Sequence, residues 1–278
     1  MGKDDLPPLG GKPHGKEKVP NQIRKDADAA RKNPPVEDQQ QPQDDGGEFG
    51  DGSKVSQDWR DTPNALPKVI RQKLEICWAI VLAHMLQAIL NITNTKDYVE
   101  FLYDDLVVHL KLKKETKKQA QSSSLTKKKA KTLKLANLQK AVDHIAVNGL
   151  LKEKCSGSAK PGSKTGFHGK WQFKIETSPS VDFIKDKVNI SPVAIAFEVD
   201  ANFSALKQNI YKVRESTQPL QHGVVEGHAV LIVGYGYTKE RQLFFLVQNS
   251  WGESWGVQGF GRIFIDESSR TTLVYPVV

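Results

Sequence analysis

The most continuous apolar stretch of the chain is "LEICWAIVLAHMLQAILNI", residues 74–92. From Ile76 to Ile92 only His84, Gln87 and Asn91 interrupt it, and apolar side chains on almost every face predict a helix in the middle of a core. A membrane span would need ~20 residues without such breaks, so that reading is set aside. "DYVEFLYDDLVVHLKL" (97–112), with Val99, Leu102, Leu106, Val107 and Leu110 at helical spacing, predicts a second helix. "LANLQKAVDHIAVNGL" (135–150) predicts a third that stops near Gly149. Beyond about residue 165 the pattern changes to short runs rich in Val, Ile and Phe. "WQFKIET", "SPVAIAFEVD", "HAVLIVGYGYT", "RQLFFLVQNSW" and "GFGRIFID", bounded by Gly, Pro or Asn, predict strands. Helices followed by a mostly antiparallel sheet make an α+β protein of two lobes, about 63–160 helical and about 161–278 β.

Polar patterning sets the remaining boundaries. Residues 1–50 hold seven of the fourteen prolines and a single aromatic, Phe49, too little apolar surface to offset the entropy of ordering. They predict a disordered tail over 1–54, leaving 55–278 as one domain with enough chain for a core. The net charge of +8 is concentrated in residues 111–134, where ten Lys and one Glu make +9. That segment reads as a solvated insertion in the helical lobe, able to attract an acidic partner or nucleic acid. No aromatic interleaves its lysines, which argues against single-strand binding. The first twenty residues contain no apolar signal core, and the only two cysteines, Cys77 and Cys155, cannot build a disulfide framework. An intracellular location, cytoplasm or nucleus, is the expectation.

Charge and composition leave the chemistry to a few residues. A buried cysteine ordinarily acts as a small hydrophobe. Cys77, however, opens the first helix, where free N–H groups and the helix dipole favour a thiolate. His228 in "EGHAVLIVGYG" starts a strand, and Asn249 in "LFFLVQNSWGESWG" ends the next one, so antiparallel pairing sets the two side by side. Thiol, imidazole and an amide to orient the ring are the parts of a covalent catalyst. His84 lies two turns along the helix from Cys77, too far to assist it, and is expected to be a packing residue.

"DWR" followed by "VIRQ", then "CWAI", "GHAVLIVGYG", "LVQNSWGESWGVQGFGRI" and the closing "YPVV" resemble the papain- and cathepsin-like cysteine proteases over residues 57–278, least over about 93–180. The resemblance implies a papain-like fold with a cleft between a helical lobe and an antiparallel β-sheet or barrel lobe. It implies peptide-bond hydrolysis with Cys77 as nucleophile, His228 as its proton partner and Asn249 as orienter. The Gln72 side chain and the Cys77 N–H would form the oxyanion hole. Trp78 would support the helix start, Trp251 would shield the His228–Asn249 bond, and Trp255 would line the leaving-group side. A peptide or protein is the implied substrate, with no cofactor and no metal, and the sequence leaves the oligomeric state open, a monomer being the expectation. The family also supplies an alternative location, vacuolar, lysosomal or extracellular.

The departures from the family gather before the nucleophile. Lys73, Leu74, Glu75 and Ile76 replace a small glycine-containing loop with a second cysteine, and the spacing from Gln72 to Cys77 is one residue shorter. A Glu75 turned inward would oppose the thiolate. The family's substrate-pairing Cys-Asn-Gly-Gly segment has no counterpart, Cys155 stands without a disulfide partner, and residues 1–54 cannot fold as a helical pro-region. Two further readings therefore accompany hydrolysis: a peptide- or protein-binding domain without turnover, and acyl transfer to an amine.

Overall fold

The computed structural model describes residues 48–93, 98–110, 137–154, 164–168, 171–215 and 226–277, all within the unit 44–278. Most of the expected tail, the Lys-rich segment 111–134 and Cys155 lie outside the described residues.

The long apolar run forms α1 (Cys77–Thr93), buried along nearly its whole length. Its three polar side chains are accommodated in two ways. His84 packs in the interior, where burial lowers its pKa to about 4 and keeps the ring neutral. Asn91 and Gln87 capture a strand instead: Asn91 Nδ2 donates to Val99 O (3.2 Å), Asn91 Oδ1 accepts the Val99 N–H (2.9 Å), and Gln87 Oε1 accepts the Phe101 N–H (3.3 Å). This capture splits the helix expected over 97–112. Its first part is β2 (Val99–Phe101), and only α2 (Tyr103–His109) is helical. The third expected helix, α3 (137–148), ends before Gly149, whose φ of 77° is the left-handed conformation that glycine adopts at low cost. Strand β2 pairs with β3 (Leu150–Lys154), and β3 with β4 (Lys164–His168), giving a small three-stranded sheet beside the helices.

The second half is built on β1 (Lys54–Asp58), β5 (Phe173–Thr177), β6 (Val193–Val199), β7 (Ile210–Lys212), β8 (Glu226–Tyr237), β9 (Leu243–Gln248), β10 (Phe260–Phe264) and β11 (Thr271–Pro276). Their order is β5-β11-β6-β8-β9-β10-β7, with β1 paired to β8. Every pairing is antiparallel except β10 with β7, so the sheet is mixed. Between β5 and β6 runs α4 (Val181–Ile190), capped by the Ser180 hydroxyl accepting the Phe183 N–H. The sequence reading did not anticipate α4, because Ile184 and Val188 are its only buried residues. A further short helix, α5 (Ala201–Ser204), follows β6.

Alternation along the strands divides the core in two. Ala194, Ala196, Ala229, Leu231 and Val233 join Cys77, Trp78, Val81 and Leu82 of α1 on one face. Ile195, Phe197, Val230, Ile232, Phe245 and Val247 pack with Phe203 and Trp255 on the other. Small alanines on the first face let α1 approach the sheet closely. Strand β1 crosses β8 over Gly234 and Gly236; a Cβ at Gly234 would stand 2.2 Å from Gln57 O, so only glycine permits this crossing.

Residues before the boundary expected at residue 54 belong to the packed structure. Phe49 is 5% exposed, meets the Phe244 ring edge-on at 6.5 Å, and lies under the Arg262 guanidinium at 4.0 Å. Arg262 is buried and donates to Ser53 Oγ (2.9 Å) and to Gln208 O, with Asp51 Oδ2 at 2.7 Å. An isolated buried guanidinium would be costly, so residues 49–53 complete the environment of Arg262. Phe49 is the lone aromatic of an otherwise polar stretch, and its tertiary partners are far away in sequence.

Candidate active site

Antiparallel register builds the centre of the site. Strand β6 pairs Phe197 with His228, and β9 pairs Gln248 with Leu231 of β8. The chain leaving β9 therefore runs beside the beginning of β8, and Asn249 reaches His228. His228 Nε2 and Asn249 Oδ1 are 2.8 Å apart, both residues buried. The Ser250 N–H also donates to Asn249 Oδ1, at 2.7 Å. Since an N–H can only donate, that contact fixes which end of the amide is oxygen, and hence that Nε2 of His228 carries a hydrogen. The imidazole presents Nδ1 on its other side. Asn249 Nδ2 is buried without a partner among the described residues. The amide thus serves the histidine and the Ser250 backbone at the expense of its own NH2 group.

Aromatic rings close over this pair. Trp251 lies against the His228 imidazole with centroids 4.4 Å apart at 33°, and Phe203 is 6.0 Å from the same ring. Apolar cover excludes water from the His228–Asn249 bond and strengthens it. Trp255 occupies a different position from the one the resemblance implied. It is buried in the core against Trp251 and Phe203, with its Nε1 donating to Phe203 O (2.9 Å), and presents almost no surface to solvent. Trp78 is likewise interior, packed at the start of α1.

The segment before α1 is laced to the segment after β9. Gln248 Nε2 donates to Pro67 O (2.7 Å). The Gly252 N–H donates to Ile70 O (3.0 Å) and the Gln72 N–H to Ser250 O (2.8 Å). The Ser250 hydroxyl donates to Gln72 Oε1 at 2.7 Å. With its oxygen committed to Ser250, the Gln72 carboxamide has its Nε2 directed away from that contact. Nothing in the sequence marks Ser250 or Phe203 for these positions; adjacency to Asn249 was the only signal available for Ser250.

Cys77 is the first residue of α1, buried and outside any disulfide. At that position its N–H falls outside the i→i−4 ladder of the helix. It shares a buried cluster with Ala229, the residue after His228 on β8. The short loop before it bends tightly, with the Ile76 N–H donating to Leu74 O (2.8 Å). Glu75 is exposed, and Leu74 is 51% exposed.

Comparison with known proteins agrees with this architecture. Residues 54–275 match the family described as "Papain family cysteine protease". Pro-cathepsin H from Bos taurus is 35% identical over 102 residues, 31% of this chain and 29% of that protein. Ananain from Ananas comosus is 35% identical over 82 residues, 30% of this chain and 22% of that protein. Testin-2 from Mus musculus is 29% identical over 160 residues, 51% of this chain and 45% of that protein. The chain thus spans less than half the length of these curated relatives. Among solved structures, bromelain from Ananas comosus, in complex with the E64 inhibitor, superposes with a TM-score of 0.53 at 20% identity. The match covers 81% of this chain and 100% of that one. At that identity the likeness speaks to the fold. With the family pattern matched over most of its length, the chain belongs to the papain family of cysteine proteases.

Proposed function

We propose that the protein is a cysteine-type peptidase that cleaves peptide or protein substrates at Cys77. The observation that carries this reading is the His228 Nε2 to Asn249 Oδ1 bond, fixed by the Ser250 N–H on the same oxygen. It leaves Nδ1 to exchange a proton with the thiol. The Cys77 thiolate attacks the scissile carbonyl carbon, and the charge moves to the carbonyl oxygen. The Gln72 Nε2–H and the Cys77 N–H supply the oxyanion donors. Nδ1–H of the imidazolium protonates the amine as the C–N bond breaks, leaving a thioester. Water, deprotonated by Nδ1, hydrolyses the thioester and restores the thiol.

A second reading, a peptide-binding domain without turnover, draws on the loop Lys73–Ile76, which replaces small residues with an exposed Leu74 beside the nucleophile. Alkylation separates the two. Iodoacetamide or an epoxide inhibitor labels Cys77 rapidly at pH 5–6 in the peptidase, and slowly in His228→Ala. Equal and slow labelling of both proteins ends the peptidase reading. Rapid labelling without cleavage of any member of a peptide library supports binding alone.

A further inference from the structure

The helical lobe carries a second cluster of polar side chains outside the catalytic machinery. Asp105 and His109 are one turn apart on α2, with His109 Nδ1 3.2 Å from Asp105 Oδ1. His144, on α3, brings its ring to 5.0 Å from that of His109, the planes at 42°. One ligand atom from each of Asp105, His109 and His144 lies within 4.8 Å of the other two. Two of the polar atoms are left over. Asp105 Oδ2 and His144 Nε2 are buried and have no hydrogen-bond partner among the described residues. The Asp105 side chain is only 10% exposed, whereas that of His109 is 45% exposed.

A buried carboxylate oxygen and a buried ring nitrogen left unsatisfied are each costly. A single cation between them would relieve both at once. Carboxylate oxygen is a hard ligand and imidazole nitrogen a borderline one, and Zn2+, itself borderline, takes both. Ligands on tetrahedral Zn2+ at bond lengths of ~2.0–2.1 Å lie about 3.4 Å apart, so the three ligand atoms, now within 4.8 Å of one another, must draw closer to hold the ion. We propose that Asp105, His109 and His144 form a zinc-binding site with its fourth position open to water.

Asn148 Nδ2 lies 3.2 Å from His144 Nδ1. The same Nδ2 donates to His144 O (3.2 Å), which holds Asn148 against the His144 ring. The site joins α2 to α3, the helices on either side of residues 111–136. Its role is to tie the two together.

Zinc could also bind the Cys77–His228 pair, so the test uses the full chain carrying Cys77→Ser, stripped with a chelator and titrated with Zn2+ against a chromophoric competitor. One equivalent is expected to bind and to raise the Tm. Asp105→Asn and His109→Gln are each expected to weaken it by more than about tenfold. His109 is exposed enough for its variant to fold, and circular dichroism checks both. Co2+ in place of Zn2+ is expected to give d–d bands without thiolate charge transfer. Absence of saturable binding, binding that persists unchanged in either variant, or a charge-transfer band assigning the ion to Cys155 would each overturn the proposal.

Discussion

The Ser250 hydroxyl donates to the Gln72 side-chain oxygen across 2.7 Å, joining the segment before Cys77 to the segment after Asn249. Ser250 thereby serves both halves of the site, its N–H on Asn249 and its hydroxyl on Gln72. Ser250→Ala keeps the backbone contact and loses only the hydroxyl. Its kcat/KM on a peptide substrate is expected to fall about tenfold, the equivalent of one ordinary hydrogen bond. Gln72→Ala removes the side chain proposed as an oxyanion donor and is expected to cost roughly 100-fold or more. Equal activity of Ser250→Ala and the parent would show that Gln72 needs no such support.

Phe49 and Arg262 predict a stability effect upstream of the family match. Phe49→Ala empties a site between the Phe244 ring and the Arg262 guanidinium and is expected to lower the unfolding free energy by about 3 kcal/mol in urea. Asp51 is partly exposed, and its bond to Arg262 holds its carboxyl down to about 2. Solvent screening reduces the cost of Asp51→Asn to about 1 kcal/mol. That contribution is present above the ordinary carboxyl range and disappears as pH falls toward 2.

His84 makes the fold acid-sensitive. Its pKa is lowered from 6.5 to about 4 by burial, so between those values the unfolded chain binds the extra proton. Stability therefore declines as pH drops through this window, by about 3 kcal/mol at pH 4 for this group alone. His84→Leu is expected to flatten the urea midpoint between pH 6.5 and 4. An unchanged slope would remove His84 as the cause.

Asn91→Leu tests the capture of β2. The substitution leaves the Val99 N–H and C=O without their side-chain partners and is expected to cost about 2 kcal/mol. Faster hydrogen exchange at Val99 than in the parent is the local signature, while the β8 amides keep their protection.

The sequence alone determined the α+β class, the helix at Cys77, five strands of the β half read from short apolar runs between turn residues, and the candidates Cys77, His228 and Asn249. These were legible because apolar period and local motif reside in neighbouring residues. What it could not decide depended on partners distant along the chain. The segment 97–112 has helical spacing throughout, yet Gln87 and Asn91 turn its beginning into a strand by offering backbone hydrogen bonds that the helix would otherwise supply. Phe49 looked like part of a tail until Arg262 and Phe244 gave it a site. Trp255, which the resemblance assigns to the cleft, is buried among Phe203, Trp251 and their neighbours. The Ser250 bond to Gln72 and the meeting of His109 with His144 each arise from one tertiary approach, which burial and hydrogen-bond geometry set and no local pattern encodes.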